Sequence, residues 1–245
     1  MKEGFLLLNK PANEITSFGV VHAIKRLLPR KTKIGHTGTL DDFASGLLIV
    51  CVGRSATKLS SALMGCDKEY VVRAKLGEAT DSLDRTGKII ATEPFEHITA
   101  EMLHAAMKSL QPSYFQIPPI YSALKHHGSP LYKLARERKM DMTELADIAK
   151  QKGREVFIKE IELIDFQPPF FTLRAVVSKG TYVRSLAYDI AQKCGLSATT
   201  YDLERTKINN FTLCQAALLK NFGSLEDIQT HLFACEELQM LEKIS

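Results

Sequence analysis

Apolar and polar positions along this chain follow two periods. Between residues 69 and 76, Tyr70, Val72, Ala74 and Leu76 fall on one face, with Arg73 and Lys75 on the other. That period of two predicts a half-buried strand. Unbroken apolar runs at residues 5–8 and 47–52 predict short buried strands. Further strands are expected near 88–91, over 156–166 and 171–178 on either side of Pro168-Pro169, and at a last edge, 211–213. The helical period appears after Thr16-Ser17, where Phe18, Val21, Ile24 and Leu28 recur until Pro29 stops them. Helices are also expected over 54–64, over 99–110 behind a Thr99 cap, over 183–193 with Gly195 as C-terminal stop, and over 224–243. Residues 113–119 read as a proline- and aromatic-bearing loop, and 121–152 as a charged, weakly periodic, mobile insertion of short helices. Strands interleaved with helices, several in hairpin-like pairs, give an α+β fold with a mixed, mostly antiparallel central sheet flanked by helices.

The 245 residues suit one large domain with a small appendage. The net charge is only +4, but its distribution is uneven. Lys25, Arg26, Arg30, Lys31 and Lys33 form one basic stretch without an acidic residue. A second, over residues 121–140, has five basic residues against Glu137 alone, whereas residues 224–245 carry five acidic ones against Lys243. Two basic stretches and an acidic tail fit a polyanion laid across one face, or, equally, two solvated helix faces. The five cysteines form no CxxC pair and read as thiols in a reducing cytosol. The N-terminus does not read as a signal peptide, and no apolar stretch reaches membrane-spanning length.

Three segments combine reactive side chains with tight turns. The first is Gly35-His36-Thr37-Gly38-Thr39-Leu40-Asp41-Asp42-Phe43-Ala44-Ser45-Gly46-Leu47-Leu48. A carboxylate held by small residues at the edge of a core stays ionised only if something pairs with it. From spacing alone, Asp41 serves equally well as N-cap of a helix over 42–48. The second segment, Lys68-Glu69-Tyr70, opens a strand on which a tyrosine is usually a core residue. The third, Ser178-Lys179-Gly180-Thr181-Tyr182-Val183-Arg184, runs from a strand through Gly180 into a helix, where an arginine is ordinarily a surface cation. No Lys-Ser or Lys-Thr completes a P-loop, and no Gly-x-Ser-x-Gly elbow is present. His126-His127 lacks a carboxylate or cysteine at metal-ligand spacing.

Taken together, these segments resemble the TruB family of tRNA pseudouridine synthases. The family's catalytic loop reads Gly-His-x-Gly-x-Leu-Asp-Pro-x-Ala-x-Gly-x-Leu, and residues 35–48 match it except at Asp42, which replaces proline. Lys10-Pro11 with Thr16-Ser17, Lys68-Glu69-Tyr70, and Leu76-Gly77 with Thr80-Asp81 and Asp84-x-x-Gly87 match further family motifs. So do Gln116-Ile117-Pro118-Pro119-Ile120-Tyr121-Ser122-Ala123-Leu124-Lys125 with Gly128, Tyr132, Ala135 and Arg136, and Ser178 to Arg184, and Leu203-x-Arg205-Thr206. Asn209 stands where the family usually has glycine. The match runs in order from about residue 4 to 213.

The resemblance implies a pseudouridine synthase domain over 1–215, with a thumb-like RNA-gripping insertion at about 121–152 that orders on binding. A short helical tail over 216–245 then stands in place of a full PUA domain. It implies isomerisation of uridine 55 in the T loop of tRNA, by base flipping and Asp-dependent exchange of an N-glycosidic for a C-glycosidic bond. The other reading is a tRNA-binding folding chaperone whose chemistry is secondary. By resemblance, Asp41 is the essential carboxylate, Arg184 its cationic partner, and Tyr70 the platform under the target uracil. Tyr182 and Leu203 line the base pocket, His36 fills space vacated in the opened T loop, and Lys10, Lys125 and Arg136 hold phosphates. Asp42 would raise the pKa of Asp41 if both faced the cleft. The resemblance calls for no metal, no other cofactor, no membrane and no obligatory protein partner, and places the protein in the cytoplasm.

Overall fold

A computed structural model describes residues 1–236. The chain begins with β1 (Gly4–Lys10), α1 (Ser17–Arg26), β2 (Ile34–His36) and β3 (Ser45–Val52), then α2 (Arg54–Lys58), α3 (Ser60–Gly65) and β4 (Lys68–Leu76). A small hairpin of β5 (Glu78–Thr80) and β6 (Ile89–Thr92) precedes α4 (Ala100–Ser109) and β7 (Ser113–Gln116). The 121–152 segment carries β8 (Lys125–His126), β9 (Ser129–Pro130), α5 (Leu131–Arg136) and α6 (Met142–Gln151). The long hairpin β10 (Arg154–Gln167) and β11 (Phe170–Val177) follows, then α7 (Val183–Lys193) and β12 (Ala198–Ile208). The described chain closes with β13 (Phe211–Thr212), β14 (Ala217–Leu218) and α8 (Leu225–Thr230). The helix expected over 224–243 thus ends at Thr230, and its part beyond residue 236 lies outside the described residues.

The chain divides into two compact units, one of Met1–Tyr70 with the chain from Leu203 onward, the other of Val71–Asp202. In the first unit β1 is flanked by β3, antiparallel with Leu6 opposite Val50, and by β14, parallel with Leu8 opposite Ala217. On its far side β3 runs parallel to β12, with Ser45 opposite Glu204. The apolar runs are unbroken because both faces are covered. Phe5, Leu7, Leu47, Ile49 and Cys51 pack on Ala56, Leu63, Ile208 and Phe211. Leu6, Leu8, Leu48, Val50 and Val52 pack on Val20, Val21, Ile24 and Leu28, and on Ile228 of α8. Thr16 caps α1 as expected, accepting from Gly19 N, but Phe18 points outward and is 71% exposed. Residues after the expected boundary at 215 belong to this unit: β14 extends its sheet, and Phe5 and Phe233 exchange backbone hydrogen bonds at 3.0 and 2.9 Å.

The second unit has strand order β4-β11-β10-β7. Leu163 of β10 faces Leu173 of β11, and Val156 faces Tyr114 of β7, which makes residues 113–116 a strand rather than loop. Helix α4, capped by Thr99, lies against β10 and α7. The 121–152 segment has its own small core of Leu131, Ala135, Leu145 and Ile148, with Ile120, Tyr121, Leu124, Leu134 and Met140 around it.

Candidate active site

Asp41 follows the short strand β2 and precedes β3, so no helix follows it to be capped. A turn, with Ala44 N donating to Asp41 O at 3.1 Å, leads directly into the strand. Three side chains from distant parts of the first unit hold this loop. Ser17, in the first turn of α1, receives Leu40 N at 2.9 Å and donates to Leu40 O at 3.1 Å, fixing the residue before Asp41. Lys10 is fully buried, and its ammonium donates to Pro11 O at 3.0 Å, Asp42 O at 3.1 Å and Ala44 O at 2.7 Å. Arg205, 1% exposed, donates from Nε to Leu47 O at 2.7 Å and from a terminal nitrogen to Gly38 O at 3.1 Å, so it grips both limbs of the loop. The strand pairing requires Gly46: its φ is +110°, and an added Cβ would lie 2.4 Å from Arg205 O.

The placement of Lys10 corrects the expectation that it holds phosphate. All three of its N–H donors are committed to carbonyls inside the fold, which leaves it a holder of the aspartate loop. Burial lowers its pKa, while the nearby charges of Asp42 and Asp41 work in the opposite direction. The side chain of Asp42 itself is exposed, so water solvates the charge that replaces proline. His36, half-buried, receives Gly38 N on Nδ1 at 3.3 Å, which places the ring proton on Nε2. Burial, then the charge of Arg205, lowers its pKa, so the imidazole is neutral near pH 7.

Tyr70 lies at the buried end of β4 and is 8% exposed. Lys68 anchors that strand end by donating to Met64 O at 3.0 Å and Cys66 O at 2.6 Å. Beside Tyr70, Glu69 receives Thr206 Oγ1 at 2.7 Å and pairs with Lys207 at 3.3 Å. Leu203, on β12, is 6% exposed. Asn209 has φ +52°, the left-handed conformation that explains why glycine also suits this position.

In the second unit Arg184 is buried, not a surface cation. One terminal nitrogen donates to Ser82 O at 2.6 Å and to Asp84 Oδ2 at 3.1 Å, and the other to Tyr121 O at 2.8 Å. Asp84 is buried as well, and its other oxygen receives Thr86 N at 3.0 Å. A buried guanidinium facing a carboxylate and two carbonyls is locked in one orientation. The backbone of Tyr182 is held by Gln116, at 2.8 Å to its N–H and 3.1 Å to its carbonyl. Asp84 and Gln116 were visible only as motif letters, because their partners lie 100 and 66 residues away. Lys125 and Arg136 are exposed on β8 and α5, with the Arg136 guanidinium 5.9 Å from the Tyr132 ring centre. Among the described residues no helix is long and apolar enough to cross a membrane.

Residues 25–183 match the family model described as TruB family pseudouridylate synthase, N-terminal domain. The chain belongs to the TruB family. A Clostridium tetani protein named tRNA pseudouridine synthase B is 40% identical over 242 residues, covering 98% of this chain and 80% of its own. A Bordetella avium protein of the same name is 41% identical over 239 residues, covering 96% and 93%. Among solved structures, a chain in a Cbf5-Nop10-Gar1 complex superposes with TM-score 0.64 at 27% identity, over 89% of this chain. The present chain spans 53% of that one. The pseudouridine synthase fold of this TruB-family chain thus carries two sets of fixed side chains. One is the clamped aspartate loop with Tyr70 and Leu203 in the first unit, the other the Arg184–Asp84 pair with Tyr182 in the second.

Proposed function

We propose that this protein is a tRNA pseudouridine synthase that isomerises uridine 55 in the T stem-loop. The observation that carries the reading is the aspartate loop. Three buried side chains, Lys10, Ser17 and Arg205, are spent on holding one short turn around Asp41. Such investment in a loop suits a carboxylate whose position against a reacting atom must be fixed. Family membership and two relatives named tRNA pseudouridine synthase B agree with it.

In this reading Asp41 acts at the ribose of an everted nucleotide. The C1′–N1 bond breaks with its electron pair left on N1, the detached uracil turns, C1′ joins C5, C5 gives up its proton and N1 takes one up, so that the product is an isomer of the substrate. Asp41 is the essential carboxylate, and Arg184 is the guanidinium that keeps it ionised once water is excluded. Tyr70 is the aromatic platform for the uracil, and Tyr182 and Leu203 are walls of the base pocket. A neutral His36 enters the opened T loop, and Lys125 and Arg136 take phosphates of the RNA. The reaction is placed in the cytoplasm and needs neither a cofactor nor an obligatory protein partner.

The test is to map pseudouridine in tRNA before and after treatment with the purified protein and with Asp41→Asn. The native protein should add pseudouridine at position 55. Asp41→Asn should add none while binding a T-arm stem-loop within about tenfold of the native affinity. Conversion by Asp41→Asn at the native rate would remove the catalytic assignment, and tRNA bound but left unchanged by both proteins would favour a folding chaperone.

A further inference from the structure

Helix α7 starts at Tyr182 without a side-chain cap and without an acidic residue in its first turn. Helix starts ordinarily need a partner for their free N–H groups. Here the partner comes from β7. The Gln116 side-chain amide, 1% exposed, accepts from Tyr182 N at 2.8 Å and donates to Tyr182 O at 3.1 Å. Two opposed bonds to one residue fix both its position and its rotation, as a neighbouring strand would. The second amide N–H of Gln116 donates to Tyr114 Oη at 2.6 Å, and Tyr114 Oη donates to Asp189 Oδ2 at 2.9 Å. Asp189 lies two turns along α7 from Tyr182. Both ends of this stretch of helix are therefore tied to β7 through one polar chain, and both N–H donors and the oxygen of the amide are engaged. Reversing the amide would set its NH2 against Tyr182 N–H, so only one orientation satisfies the network. Burial, then the Asp189 charge, raises the pKa of Tyr114, which keeps its hydroxyl a donor. Between these ties, Ser185 Oγ donates to Ile117 O at 2.9 Å and Arg184 to Tyr121 O at 2.8 Å.

We propose that Gln116, backed by Tyr114 and Asp189, is a positioning residue that sets where Tyr182 and Arg184 stand. The inference rests on the synthase reading for its kinetic consequence, but the clamp itself can be measured without activity. Gln116→Met keeps much of the volume but removes the acceptor of Tyr182 N–H together with both amide donors. Tyr114→Phe removes only the hydroxyl that ties the amide to Asp189.

The experiment combines steady-state pseudouridine formation on tRNA with hydrogen exchange at the Tyr182 amide, in the full chain. Gln116→Met should lower kcat roughly tenfold or more with KM within about twofold, since the loss falls on geometry, not on RNA binding. Exchange at the Tyr182 amide should quicken by roughly tenfold or more. Tyr114→Phe should shift both readouts in the same direction by less. Native protection of the Tyr182 amide in a folded Gln116→Met protein would overturn the clamp, and a faster-exchanging amide with native kcat would overturn its role in positioning. Should Gln116→Met not fold, Tyr114→Phe decides: unchanged exchange and unchanged kcat overturn the proposal. If the native protein forms no pseudouridine, the functional reading fails, and the exchange measurement still decides whether the clamp exists.

Discussion

Replacing Lys10 with methionine separates two roles for one buried cation. Methionine fills much the same volume but donates nothing. Asp42 O keeps a partner, because Asn13 N also donates to it at 2.9 Å, whereas Pro11 O and Ala44 O lose the lysine donor. Each carbonyl left unsatisfied inside a fold costs about 1–3 kcal/mol. Relief from burying a charge returns part of that, so a net loss of about 2–4 kcal/mol is expected. For a chain of this size that corresponds to a Tm lower by roughly 5–15 °C. Turnover should fall as well, because the turn carrying Asp41 loses one of its three clamps. Thermal unfolding and tRNA binding over a salt series would check this together. If the lysine held the loop, Tm drops and the dependence of log affinity on log salt keeps its slope. If it held a phosphate, Tm stays and the slope becomes shallower by about 0.7–0.9. That second pattern would refute the reasoning.

Three further outcomes follow from the same geometry. Gly46→Ala must adopt φ +110° and place a Cβ 2.4 Å from Arg205 O, which should cost about 3 kcal/mol or more; a Tm within about 2 °C of native would contradict it. Arg184→Lys cannot serve Ser82 O, Asp84 and Tyr121 O with one planar group and should slow pseudouridine formation at least about tenfold; native turnover would remove the argument from the guanidinium. Burial raises the Asp189 carboxyl from 3.8 to about 6, against the opposing hydrogen bond from Tyr114. Its folded form therefore holds a proton that the unfolded chain has released between those values, and the stability this confers is present below pH 3.8 and lost as pH rises through about 6. Asp189→Asn should then be more stable than native at pH 7.5, by up to about 3 kcal/mol, with the gap closing towards pH 4; equal Tm values at both pH values would refute it.

Residues whose environment is built by their own neighbours were legible in the sequence. The alternation over 70–76 gave the buried face of β4, and Thr16 and Thr99 are the caps of α1 and α4. Short apolar runs were less decisive. Residues 42–48 fit a helix or a strand by periodicity, and only the ladder to β1 selects the strand. Phe18 matches the helical period but falls just outside the stripe facing β1 and β3, where Val20, Val21 and Ile24 fill the space. The strand at 113–116 was hidden because it is defined by pairing with β10, some forty residues on. The phosphate-holding role expected of Lys10 misses its place in the fold because nothing local reveals that the carbonyls of residues 42 and 44 converge on it. In each case the missing information was the identity of a remote partner.

The order in which the first unit's parts leave the ribosome has a consequence for when the site comes into being. Strand β1 and the aspartate loop are translated early, but Arg205, β14 and Phe233 are made only after all of residues 71–202. At about 5–20 residues per second the nascent N-terminus waits on the order of ten seconds or more for the partners that complete it. The aspartate loop thus gains its last clamp only after residue 205 is made, and a chain halted halfway cannot yet grip the turn that carries Asp41.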